Sequence, residues 1–262
     1  MIDMHNHVLY GVDDGAQTLD DSLEMLRVAE ALGFDTVVLT PHYMIYEHYT
    51  SPVAENARRL VVLQKAAQEA GIGVRLYLGN ELLYDYKMIE RIDTGAFKAL
   101  GDTNWCLVET IRHAGSVASL NTFRIKLRDK GYRMILAHPE RYDFVQDDPN
   151  SLIDFMEQGC LIQANYLSLT GYYGNKAKET LETMLTHNMV QLMGSDAHQV
   201  EGYERYPEAE AAGIRLIGEA AWKQIMDVNP RLLLTGQVHA IPVTPNRSAP
   251  KVRKSVIARS AI

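Results

Sequence analysis

Seven short apolar runs, each followed by a stretch with helical spacing, constrain what this chain can fold into more than any other feature. They fall at residues 2–5, 36–40, 74–78, 106–109, 133–137, 161–165 and 190–194. Runs this short and this continuously apolar suit strands buried on both faces. Between the first two, Asp20 or Asp21 is expected to cap a helix with Leu23, Leu26, Ala29 and Ala31 on its apolar side and Gly33 past its end. Pro52 opens a second helix that stops at Gly71, and residues 121–130, 151–158 and 176–187 read the same way. Strands alternating with helices over short loops predict βαβ units, hence parallel strands in an α/β fold. No linker rich in Gly, Ser or Pro breaks the series, so one domain over 1–241 is expected, with a helical close at 207–236.

The polar residues of this pattern fall where the strands end. The first run leads into His5 and His7, which share a face because strand residues alternate, and then into Asp13 and Asp14 in a glycine-bounded loop. The second ends at Thr40-Pro41-His42, the third at Gly79-Asn80-Glu81, the fourth at Glu109, the fifth at His138-Pro139-Glu140-Arg141 and the last at Ser195-Asp196-Ala197-His198. Loops that follow the strands of an α/β fold share the C-terminal face, where sites form. Six of the seven runs thus deliver His5, His7, Asp14, His42, Glu81, Glu109, His138, Asp196 and His198 to one mouth. Nine such groups exceed what one ion takes and suit about two or three. Imidazole and carboxylate without thiolate point to Mn, Fe or Zn. Asp3 and Asp13 are candidates to hold a histidine ring from behind. His48, His113, His187 and His239 lack partners at ligand spacing and read as surface or capping groups.

Charge and cysteine usage exclude other classes. The net charge of −7 hides five bases and no acid over residues 240–262, which leaves −12 for the body. Such a body is a poor ligand for nucleic acid, which needs a basic stripe. The tail, 242–262, is expected to be mobile; it reads first as an inert end and second as a weak contact for an anionic membrane. No run of eighteen apolar residues predicts a transmembrane segment, and the N-terminus lacks the pattern of a signal peptide. Cys106 and Cys160 lie inside apolar segments rather than in a disulfide framework, so a cytoplasmic setting is expected.

The runs DMHNHVLYGVDDG, TPHY, GNELLYD, HPERY and SDAH resemble those of the polymerase and histidinol phosphatase (PHP) superfamily. Within it, the DDG after the paired histidines, the HPERY and the late Asn229-Pro230-Arg231 resemble the protein tyrosine phosphatases of capsular and exopolysaccharide operons, the CpsB/CapC type. The likeness spans residues 1–235. It implies a distorted seven-stranded (β/α) barrel and three divalent ions, in the family usually manganese. His5, His7, Glu81 and Asp196 would hold one ion; Glu81, Glu109 and His138 a second; Asp14, His42 and His198 the third. Arg141 would bind the substrate phosphate. The family usually places a second phosphate-binding arginine about five residues after the last histidine, where this chain has Tyr203, and Arg205 is the nearest candidate to replace it. The implied partner is a tyrosine kinase of polysaccharide export.

Such a site would hydrolyse phosphotyrosine by direct transfer to a metal-activated hydroxide. Competing readings are a PHP hydrolase of a small phosphomonoester such as histidinol phosphate or of a nucleic-acid end, and a non-catalytic metal-binding regulator. Cys106 and Arg112 also fall at the C-x5-R spacing of thiol phosphatases, but the residues between them are glycine-free, β-branched and include Glu109. A phosphate cradle of backbone N–H groups is not expected from such a run.

Overall fold

The computed structural model describes residues 1–247 of the 262. Its strands are β1 (Ile2–Asp3), β2 (Thr36–Leu39), β3 (His42–Tyr43), β4 (Arg75–Leu78), β5 (Glu81–Leu83), β6 (Trp105–Glu109), β7 (Arg133–Ala137), β8 (Leu161–Asn165) and β9 (Leu192–Gly194). They form two parallel sheets, β1-β2-β4 and β3-β5-β6-β7-β8-β9. The fold is α/β, with helices α1 (Leu19–Ala31), α2 (Val53–Glu69), α3 (Tyr86–Arg91), α4 (Val117–Asp129), α5 (Asp143–Asp147), α6 (Ile153–Glu157) and α7 (Asn175–Thr186) in the connections. Helices α8 (Val200–Glu204), α9 (Tyr206–Ile217), α10 (Glu219–Lys223) and α11 (Asn229–Leu234) close the chain, the last two joined through a π turn at Gln224–Val228.

Seven apolar runs become nine strands because the second and third are each interrupted. Leu39 pairs with Leu78 and His42 with Glu81, so the ladder resumes in unchanged register after a gap of two residues on each side. Pro41 has no N–H to donate there. Asn80 bridges the gap, its Nδ2 donating to the Pro41 carbonyl at 3.0 Å. The first run is shorter than expected, since its ladder ends at Asp3. Beyond it Asn6 makes an isolated parallel bridge to Ala197, with Asp196 N–H donating to His5 O at 2.8 Å and His7 N–H to Ala197 O at 2.9 Å. That bridge ties the end of β1 to the loop after β9.

The cap of α1 also differs from expectation. Thr18, not Asp20 or Asp21, is the N-cap; Asp21 sits three residues on and its carboxylate accepts the Thr18 N–H. This is the reciprocal capping box, which satisfies two N–H groups that the helix leaves open.

Period-two alternation divides the core. Cys106, Val108, Met134, Leu136, Ile162 and Ala164 pack in the larger apolar cluster, while Trp105, Leu107, Ile135, Ala137 and Leu161 pack in a smaller one on the opposite face. The second face turns polar toward the C-terminal ends, where Leu107 gives way to Glu109 and Leu161 to Gln163 and Asn165. Of the expected tail, residues 242–247 lie on the body: Val243 packs on both clusters and Asn246 N–H donates to His187 O at 2.8 Å. Residues 248–262, which carry four of its five bases, lie outside the described residues. Among the described residues no helix is long and apolar enough to cross a membrane.

Candidate metal centre

The nine ligand-type residues converge. His5, His7, Glu81 and Asp196 offer donor atoms that all lie within 4.8 Å of one another, as do His7, Asp14, His42 and His198, and His42, Glu81 and Glu109. Glu81 Oε2 stands 3.1 Å from His5 Nε2 and 2.9 Å from His42 Nδ1. Asp196 Oδ1 is 3.2 Å from His7 Nε2. Asp14 Oδ1 lies 3.5 Å from His42 Nε2 and 3.4 Å from His198 Nε2. His138 is not in the third group, yet its Nε2 is 2.8 Å from Glu81 Oε1 and 3.7 Å from Glu109 Oε2. Glu81, His7 and His42 each belong to two groups, so the three are contiguous.

The rings are held from behind by groups that free one nitrogen. His5 Nδ1 meets Gln163 Oε1 at 3.0 Å, His7 Nδ1 meets Asp13 Oδ2 at 2.8 Å, and His198 Nδ1 meets the Asp196 carbonyl at 2.9 Å. Each hydrogen bond turns Nε2 toward the carboxylates, the orientation a metal-binding imidazole needs. Asp13 also accepts the His42 and Gly15 N–H groups, which pins the loop. Asp3 orients no ring: it accepts the backbone N–H groups of His5 and Ser195 and the hydroxyls of Ser195 and Tyr203.

Without a cation the donor set is badly matched. His5 Nε2, His7 Nε2, His42 Nδ1, Glu81 Oε2 and Glu109 Oε1 are buried, and although they approach one another at ion-pair distance none makes an aligned hydrogen bond. Leaving such groups unpaired is costly. Burial and the neighbouring Glu81 carboxylate push Glu109 up to about 7. Burial works against the His138 imidazolium, but Glu81, with Asp196 and Glu109, outweighs it and lifts the group to about 10. The pocket therefore draws positive charge, which protons or divalent ions can supply in competition. His138 and Asp196 both have positive φ, 34° and 52°. Strain of this kind persists where surrounding contacts over-determine the backbone, as at functional sites.

Two glycines let the paired histidines sit this close to the neighbouring chain. A Cβ on Gly15 would lie 2.0 Å from the His7 carbonyl oxygen, and one on Gly194 would lie 2.6 Å from His5 Cβ. Gly15→Ala is expected to displace His7, to cost about 1–3 kcal/mol of stability through overpacking and to lower metal content. Thermal unfolding and elemental analysis of the purified variant check both, and unchanged metal binding would count against this placement of His7.

Arg141 lies in the same cavity of about 500 Å³ as the ligand set. It follows His138 in a short 3₁₀ turn, Pro139–Arg141. Its Nη1 donates to Asp196 Oδ2 at 2.5 Å, its guanidinium covers the Tyr173 ring at 4.1 Å, and its Nε is buried with no partner. Arg205 is not in that wall; it lies at 5.2 Å over the exposed ring of Tyr172. Tyr203, at the position of the family's second arginine, is fully buried, its hydroxyl 2.7 Å from Asp3 Oδ2. Sequence reasoning missed Gln163 and Asn165, whose Nδ2 donates to Asp196 Oδ2 at 2.9 Å. Cys106 is fully buried and burial drives its thiol far above the usual range, whereas Arg112 is exposed at the cavity wall. The C-x5-R spacing does not bring them together.

The family model for capsular polysaccharide synthesis, CpsB/CapC, matches residues 1–235. The chain belongs to the CpsB/CapC family. It is 30% identical over 204 residues to the tyrosine-protein phosphatase YwqE of Bacillus subtilis, covering 77% of this chain and 78% of that protein. It is 25% identical over 246 residues to the tyrosine-protein phosphatase CpsB of Streptococcus pneumoniae, covering 91% and 100%. A solved structure from work on YwqE and CpsB, described as unique metal-dependent tyrosine phosphatases, superposes with a TM-score of 0.84 at 27% identity, over 95% of this chain and 100% of that one. A histidinol phosphate phosphatase of Lactococcus lactis, with a TM-score of 0.50 at 12% identity over 81% and 93%, shares the fold alone.

Proposed function

We propose that this CpsB/CapC protein is a metal-dependent protein tyrosine phosphatase. The observation that carries the reading is the set of buried, unpartnered imidazole and carboxylate atoms that face one another beside Arg141. In this reading His5, His7, Glu81 and Asp196 hold one ion, Glu81, Glu109 and His138 a second, and Asp14, His42 and His198 a third, with Mn²⁺ the expected metal. Divalent ions held there would neutralise phosphate oxygens and acidify a water molecule. Arg141 offers a planar donor fork that suits phosphate, and its pairing with Asp196 keeps it pointed at the cavity. Tyrosine, with a pKa of about 10, leaves with less need of a general acid than an alkyl alcohol. A phosphotyrosine protein, and by family resemblance a kinase of polysaccharide export, is the proposed substrate, met in the cytoplasm. The two sheets, joined by the Asn6–Ala197 bridge, are read as one distorted seven-stave barrel with the site at the C-terminal ends of its strands.

The test is turnover of a phosphotyrosine peptide against histidinol phosphate with Mn²⁺ present. Preference for the peptide in kcat/KM is expected; preference for histidinol phosphate would favour the small-substrate reading. The basic tail has no part in this site. Truncation after Arg247 should leave kcat/KM on a soluble phosphopeptide unchanged, and a loss of about tenfold, ~1.4 kcal/mol, would put the tail in the site. Sedimentation with anionic vesicles at low salt, lost on truncation, would favour the membrane reading over an inert end.

A further inference from the structure

A second cavity of about 640 Å³ adjoins the candidate centre and shares Arg141, Arg112 and His113 with it. Its wall adds Lys176, Asp143 and the exposed Tyr172. Asp143 is the one acid in this wall, and His113 Nδ1 stands 3.0 Å from its Oδ2. The side chains of Arg112 and Lys176 make no hydrogen bond or ion pair among the described residues, and both are exposed. Helix α7 begins in the same wall at Gly174, whose φ is 92°, with no side-chain cap on its first N–H groups. A helix start left open in this way favours an anion. Arg141 supplies an independent sign, because its buried Nε has no partner and it borders both cavities. In a body with a net charge of −12, this concentration of cations beside the centre is out of keeping with the rest of the surface.

We propose that this cavity takes an acidic side chain of the substrate polypeptide, lying within about three residues of the phosphotyrosine, and so sets sequence preference. The proposal rests on the phosphatase reading above and specifies its substrate. Since Arg141 borders both cavities, an extended peptide at about 3.3 Å per residue reaches from one to the other within a few residues. Arg112 and Lys176 then give the carboxylate two partners, with the α7 N–H groups behind it. Neither residue belongs to the ligand set, and Lys176 lines only the second cavity, whereas Arg112 also lines the cavity of the centre.

The experiment compares phosphotyrosine peptides that carry Glu or Gln at each position from three before to three after the phosphotyrosine. It uses the full chain with Mn²⁺ and para-nitrophenyl phosphate as a substrate without flanks. In the wild type, Glu at one or two positions should raise kcat/KM by about fivefold, the scale of one or two partly exposed ion pairs. The preference should shrink as salt rises. The Lys176→Gln variant should lose most of it while keeping wild-type turnover of para-nitrophenyl phosphate, which also reports that the variant is folded. Equal rates on Glu and Gln peptides in the wild type, or a preference that survives in the variant, would overturn the proposal. A variant that fails on para-nitrophenyl phosphate as well would overturn the claim that Lys176 stands outside the centre. No turnover of any aryl phosphate by the metal-loaded wild type would instead overturn the phosphatase reading, and the proposal with it.

Discussion

Chelation of divalent ions should abolish phosphotyrosine turnover, and Mn²⁺ added back should restore it, while Cys106→Ser keeps most of the wild-type rate. The expected loss on chelation is about a thousandfold or more, because charge neutralisation and water activation by metal are worth several kcal/mol. Glu81 Oε2 is within 3.1 Å of two imidazole nitrogens, and it is one of five buried ligand atoms of the set that make no hydrogen bond. The thiol arm follows from packing: Cys106 belongs to the larger apolar cluster, on the face of β6 opposite Leu107. Burial keeps its thiol protonated, so no nucleophile is available there. Elemental analysis before and after chelation, paired with the peptide assay, makes the test complete. Full activity in metal-free protein, or an inactive but folded Cys106→Ser, would defeat the reading.

Arg141→Ala should lower kcat/KM by about 2–4 kcal/mol, the scale of removing one strong charge-stabilising donor. Metal content should remain, although Arg141 pairs with Asp196, because Asp196 Oδ2 is also held by Asn165 Nδ2 at 2.9 Å and by the Tyr173 hydroxyl at 3.3 Å. Arg141→Lys should recover only part of the loss, since an ammonium keeps the charge but not the planar fork. The readout is kcat/KM on a phosphopeptide together with metal per protein. Wild-type kcat/KM in Arg141→Ala would remove the residue from phosphate binding, and a variant stripped of metal would make it a support for Asp196 instead.

Local pattern carries information over a few residues, and the chain's own order already contained what depends on that range. Apolar runs, caps and glycine stops marked the strands and most helices, and the polar residue just past each strand marked the mouth, because α/β topology puts those ends on one face. His5 and His7 are legible in this way. Even within that range competing signals misled: Asp20 and Asp21 both suit a cap, and only the position of the first turn shows that Thr18 takes the role. The breaks at Pro41 and Gly79-Asn80 turned two runs into four strands, since a missing N–H ends a ladder only where a partner strand needs it. Packing across long separations decided the rest. Gln163 holds His5 across 158 residues, and no periodicity announces such a partner. Tyr203 turns inward to Asp3, 200 residues away, and Arg205 outward over Tyr172, because their directions depend on what α8 and α9 pack against. Residue types and their places along the strands were therefore written in the sequence. Which nitrogen faces which carboxylate was settled only when distant segments met, because a side chain's direction is fixed by the neighbours that fill the space around it.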